Sequence, residues 1–122
     1  MILADTSIWV DYLRGNSPEM RNQLSTGQIA MHPFIVAEIS LGSLQNRRQR
    51  LEEMEALLEV RVAQLSEVRQ MIEAHGLYAR GIGLTDAHLV ASCLLTPGTF
   101  LWTRDAALAR VAGALGVLAQ LP

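Results

Sequence analysis

The feature that most constrains this chain is an alternation of two periods. Short apolar runs at residues 2–4, 28–32, 60–65, 100–103 and 117–119 read as strands, and the segments between them carry apolar residues at helical spacing. Strand and helix in alternation predict a parallel sheet with helices on both faces. The opening, MILADTSIWVDYLRG, shows the pattern in miniature: an apolar run ends in Asp5, Thr6 and Ser7 follow, and an amphipathic segment closes on Gly15. In an open α/β sheet, ligands bind in the crevice outside the carboxyl ends of the strands. Asp5 is therefore expected at the mouth of that crevice.

The helical segments have clear starts. Ser17 and Pro18 supply an N-cap and a first-turn proline, and Pro33 opens PFIVAEISLGS. That second helix is apolar nearly all round, which predicts burial, yet Glu38 sits in its middle. Residues 46–59 form an amphipathic pattern, with Leu51, Met54, Leu57 and Leu58 on one face and Arg47, Arg48, Arg50, Glu52, Glu53 and Glu55 on the wet remainder. Ser66 is placed to cap the next helix, whose inner face is Val68, Met71, Ile72 and His75. Thr85 and Asp86 begin the apolar run DAHLVASCLL, Pro97-Gly98 turns the chain, and Arg104-Asp105 opens the last helix. The predicted architecture is one α/β domain over residues 1–122, with a central parallel sheet of about five short strands between helical layers.

Composition narrows the function. All ten basic residues are arginine, against twelve acids, for a formal charge of −2. Bulk positive charge is therefore not how this chain would hold nucleic acid. No uninterrupted apolar stretch reaches the roughly eighteen residues of a membrane span. The N-terminus shows no basic region or cleavage pattern of a secretory signal, and the lone Cys93 has no disulfide partner, as expected of a cytoplasmic protein. Cys93 itself reads as a small core residue.

Four carboxylates stand out: Asp5, Glu38, Asp86 and Asp105. Helix capping is the commoner role for any one of Asp5, Asp86 or Asp105 taken alone, since each falls at a helix N-terminus. Glu38 differs, because a carboxylate among apolar neighbours needs an arginine or a metal to offset desolvation. Taken together, four convergent oxygen donors suit a hard cation such as Mg²⁺ or Mn²⁺. Such ions neutralise phosphate charge and generate hydroxide. Without these four acids the rest of the chain carries +2, so a metal-loaded site would not repel phosphate.

The blocks DTSIWVDYLR, PFIVAEISLG, GLTDAHLVAS and LWTRDAAL resemble, in order, the four acidic motifs of PIN-domain ribonucleases, in particular the toxin half of VapBC-type toxin–antitoxin pairs. The resemblance covers nearly the whole chain. It implies a three-layer α/β/α domain, endonucleolytic cleavage of RNA with one or two Mg²⁺ or Mn²⁺ ions, homodimers, and inhibition by a small cognate antitoxin. Asp5, Glu38, Asp86 and Asp105 match the family's metal-binding and catalytic acids, and Thr6 and Thr103 fall where hydroxyls support them. Arg14 and Arg104 are candidates for phosphate contact. Trp9, Tyr12 and Trp102 are expected to pack rather than stack on bases. His88, about 200° around the helix from Asp86, is a poor co-ligand.

Three other readings fail on single residues. A phosphoreceiver needs a lysine, and there is none. A haloacid-dehalogenase-type phosphatase needs an aspartate where Ser7 stands, and a dinucleotide-binding turn needs glycines where DTSIW stands. A catalytically silent module of the same fold, binding RNA or a protein, is the remaining alternative.

Overall fold

In the computed structural model, which describes residues 1–122, the apolar run Ile2–Ala4 is the central strand β1. It pairs in parallel with β2 (Ile29–Ala30) on one side and β3 (Phe100–Trp102) on the other. Ile2 lies opposite both Ile29 and Phe100, and Ala4 opposite Trp102. Leu3, Ala4, Ile29, Ala30, Leu101 and Trp102 are all buried, as in a parallel sheet covered on both faces. The Trp102 indole N–H donates to the Pro122 carbonyl at 3.1 Å, so this large side chain brings no unpaired donor into the core.

Helices α1 (Thr6–Leu13) and α2 (Pro18–Ser25) connect β1 to β2. Helices α3 (Pro33–Ser40), α4 (Arg47–Glu55), α5 (Leu65–His75) and α6 (Leu84–Leu95) connect β2 to β3, and α7 (Ala106–Ala114) follows β3. The two crossovers move in opposite directions along the sheet, and right-handed connection then puts helices on both of its faces. Side chains of Asp5, Ser17, His32 and Asp105 accept amide N–H groups at the starts of α1, α2, α3 and α7. Helix α5 is capped by Gln64 with Glu67, not by Ser66, and its His75 is exposed. Gly76 ends it in the left-handed region at φ 60°, where glycine carries no Cβ penalty. No helix is long and apolar enough to cross a membrane.

Three strands form a ladder, not five. Alternate residues of a strand turn their backbone groups to opposite edges, and these strands are very short. Phe100 and Trp102 face β1, so only Leu101 is left to bond residues 117 and 119. Met31, just past β2, likewise makes a single bridge to Glu59. The run at 60–65 does not alternate in space either: Val60 and Ala63 are buried while Val62 is exposed, and the chain enters α5 at Leu65.

A second expectation fails in an instructive way. Helix α3 is apolar all round, but it is buried only through Ile35 and Ile39. Ala37 and Glu38 are exposed. The small Ala37 gives little reason to bury that side, so Glu38 has water and no need of a buried partner.

Candidate active site

Asp5 ends β1 and is only 7% exposed. Its Oδ1 accepts the Ser7 hydroxyl at 2.7 Å and the Ile8 amide at 3.1 Å. Its Oδ2 accepts the hydroxyl of Thr103. The pairing of Ala4 with Trp102 allows this contact, because the next residue of each strand emerges at the same sheet edge. Thr103 Oγ1 also accepts the Asp105 amide at 3.0 Å, and the Asp105 carboxylate accepts the Leu108 amide at 2.8 Å. Asp5, Thr103 and Asp105 therefore form one bonded run across the edge.

Glu38 arrives from α3. The Thr6 hydroxyl donates to its Oε1 at 2.6 Å, tying α3 to the start of α1. Asp86 arrives in the first turn of α6 and is half-buried. Burial raises the pKa of its carboxyl, and the Gly83 backbone pulls the other way. The negative charges of Asp105, Asp5 and Glu38 raise it further. All four acids are thus near enough for their charges to be felt at Asp86. The sole ion pair in the molecule joins Arg104 to Asp11, so none of the four is itself ion-paired. No three acidic or histidine side chains stand close enough together to enclose an ion in this conformation.

The supporting residues divide. Thr6 and Thr103 orient acids, as just described. Arg14 is exposed and lines a cleft beside Thr6 and Glu38. Arg104 is engaged by Asp11 of α1 rather than free. Trp9 and Trp102 are buried core residues, and Tyr12 packs edge-on to Trp9 with ring centroids 5.9 Å apart. His88 is buried against Phe34, ring centroids 4.6 Å apart, in keeping with its poor placement as a ligand. Burial pushes the Cys93 thiol up to about 12, which makes it inert.

Sequence reasoning missed two contributors. Ser7 holds Asp5, and the signal was there: a hydroxyl two residues after a capping carboxylate folds back on it readily. Asp11 anchors Arg104 across 93 positions of chain, which no local pattern announces.

The family model described as the PIN domain matches residues 2–114, a span that holds all four acids and both threonines. The chain belongs to the PIN-domain family. Within it, this PIN domain is 34% identical over 117 residues to Ribonuclease VapC32 of Mycobacterium tuberculosis, covering 96% of this chain and 94% of the relative. The figures are the same for that protein in strains CDC 1551 / Oshkosh and ATCC 25618 / H37Rv.

Proposed function

We propose that this PIN domain, a single unit over residues 1–122, is a metal-dependent endoribonuclease that acts in the cytoplasm as the toxin of a type II toxin–antitoxin pair. The observation that carries the reading is the bonded set at the sheet edge, where Thr103 joins Asp5 to Asp105 and Thr6, the residue after Asp5, holds Glu38, with none of these acids ion-paired. Similarity to a protein named as a ribonuclease over nearly the full length of both chains supports the reaction class.

The donor set fits Mg²⁺ or Mn²⁺: it is oxygen only, and its mutual repulsion is what a divalent ion relieves. Mg²⁺ keeps several waters and needs only one or two direct carboxylates, which suits acids that do not close into a three-ligand cage. Asp5 and Asp86 are the main ligands in this reading, with Glu38 and Asp105 completing the shell or orienting the attacking water. One or two ions held there supply positive charge to the phosphate and acidify water. Asp5 keeps one orientation because three donors fix its carboxylate. Thr6 does the same for Glu38 through a single bond. Arg14 neutralises a phosphate near the cut, with Arg104 a second contact once released from Asp11. The inhibitor is a small antitoxin that covers the crevice with a basic side chain, and the active form is a homodimer.

The test uses purified, antitoxin-free protein and structured RNA, with Mg²⁺ or Mn²⁺ and with excess chelator. Cleavage only with metal, lost in Asp86→Asn, is the expected result. Equal cleavage in chelator removes the metal mechanism, and no cleavage of any RNA moves the assignment to a silent binding module.

A further inference from the structure

Beside the acids lies a cleft of about 590 Å³ between α1, the end of α3 and the start of α4. Thr6 and Glu38 form the end nearest the acidic edge. Arg14 and Arg50 stand on its walls, and neither has a carboxylate partner. Gln45 and Asn46 line the loop side, and neither carboxamide makes a hydrogen bond within the protein.

Asn46 is the more telling of the two. It precedes α4 at the N-cap position, where asparagine ordinarily spends its side chain on a helix amide. Here its backbone is left-handed, φ 52° and ψ 44°, and the side chain caps nothing. Asp5, Ser17, His32 and Asp105 all do cap their helices. Asparagine adopts this region readily, so the turn costs little and leaves the carboxamide at the cleft wall. The loop is braced as well: the Arg47 guanidinium donates to the carbonyls of Ser40 and Gly42. The free carboxamides are therefore presented from a held loop.

We infer that this cleft is the subsite for one unpaired nucleotide of the RNA, adjacent to the phosphate being cut. The inference rests on the nuclease reading above and adds to it where selectivity arises. The volume falls in the range of small-ligand pockets, roughly 300–1,000 Å³, enough for a single nucleotide. Carboxamides donate and accept on base edges that are open only in unpaired nucleotides. Free guanidinium groups meet the flanking phosphate, and a guanidinium plane also stacks on a base. Val10, Leu13, Ile39 and Leu44 give the cleft an apolar floor among its arginine, carboxamide and hydroxyl groups, which suits a base that packs through its face and is read along its edge.

The experiment measures anisotropy of labelled single-stranded RNA octamers, one base varied at a time, on the Asp86→Asn chain with Mg²⁺. Cleavage-site preference is read in parallel on chains with Asp86 intact. Asn46→Gly keeps the backbone conformation and removes the carboxamide; Gln45→Ala removes the other. Each should reduce discrimination at one position beside the cut roughly 10-fold. Arg14→Gln should weaken every octamer and lower the salt slope by about one charge. Unchanged affinity and unchanged preference in all three overturn the subsite. So does intact RNA binding combined with loss of inhibition by a protein partner, which would assign the cleft to that partner. If the octamers bind with the expected dependence while no RNA is cut under either metal, the nuclease reading fails and the subsite stands.

Discussion

The hydroxyl of Thr103 donates to the carboxylate of Asp5 across 98 positions of sequence. The same oxygen accepts the Asp105 amide, so one side chain sets two acids relative to each other. Thr103→Val keeps the shape and removes both bonds. It should cost about 1–3 kcal/mol of stability, the usual figure for a lost bond to a charged group, and reduce cleavage strongly. Thr103→Ser should restore most of both. A Val variant with full activity and unchanged denaturant midpoint would show that Thr103 holds nothing of consequence.

Glu38→Gln separates charge from packing. Glu38 is exposed and no arginine pairs with it, so its loss strands no buried cation. The Gln side chain can still accept the Thr6 hydroxyl. Stability should therefore change by less than about 1 kcal/mol, as for most surface substitutions, while activity is lost. Retained activity would place Glu38 outside the site.

Metal binding should appear as stabilisation. A ligand that binds only the folded chain adds about 2.7 kcal/mol at one hundred times its Kd. Titrating Mg²⁺ or Mn²⁺ should raise Tm progressively in the chain with all four acids. In Asp86→Asn most of that rise should vanish. An equal rise in both chains would reduce Asp86 to a residue in the first turn of α6.

How far the sequence reveals this molecule depends on the range of the interaction. The strand ends carrying Asp5 and Asp105, and the helix starts at Ser17, Pro33 and Asp105, follow from local rules and stand where those rules put them. The run at 60–65 misleads because Val60 and Ala63 reach the core three residues apart from a segment that joins no strand ladder. Helix α3 misleads because hydropathy says that a surface can be buried, not that another element arrives to cover it. The cleft was out of reach for a similar reason. Gln45 and Asn46 are unremarkable in the sequence, and only the fold brings them to one cleft wall with Glu38.

Asp86 on one side and the buried His32 and His88 on the other give the metal-free protein opposing responses to acid. Asp86 has its carboxyl raised above 3.8, chiefly by burial. Its protonated form is favoured by folding, so its contribution is complete below that value and lost as pH rises through the raised one. Asp86→Asn should accordingly melt higher than the unaltered chain at pH 7 in chelator, with the gap narrowing towards pH 4. His32 works the other way. It is fully buried, its Nδ1 accepts the Phe34 amide at 3.0 Å, and its Nε2 has no partner. Burial first, and then the neighbouring His88, lower its pKa from 6.5 to about 4. Folding favours the neutral ring, so this stability is present above pH 6.5 and is lost as pH falls towards 4. A shift of that size is worth on the order of 3 kcal/mol once acidification is complete, and His88, lowered by its own burial, adds to it in the same direction. The unaltered chain should therefore melt progressively lower between pH 7 and pH 5. His32→Asn, whose carbonyl can still accept the Phe34 amide, should flatten that slope whatever its own Tm at neutral pH. A melting temperature that climbs from pH 7 to pH 5 in the unaltered chain would mean that repulsion among the four acids dominates and that His32 is not held neutral in the core.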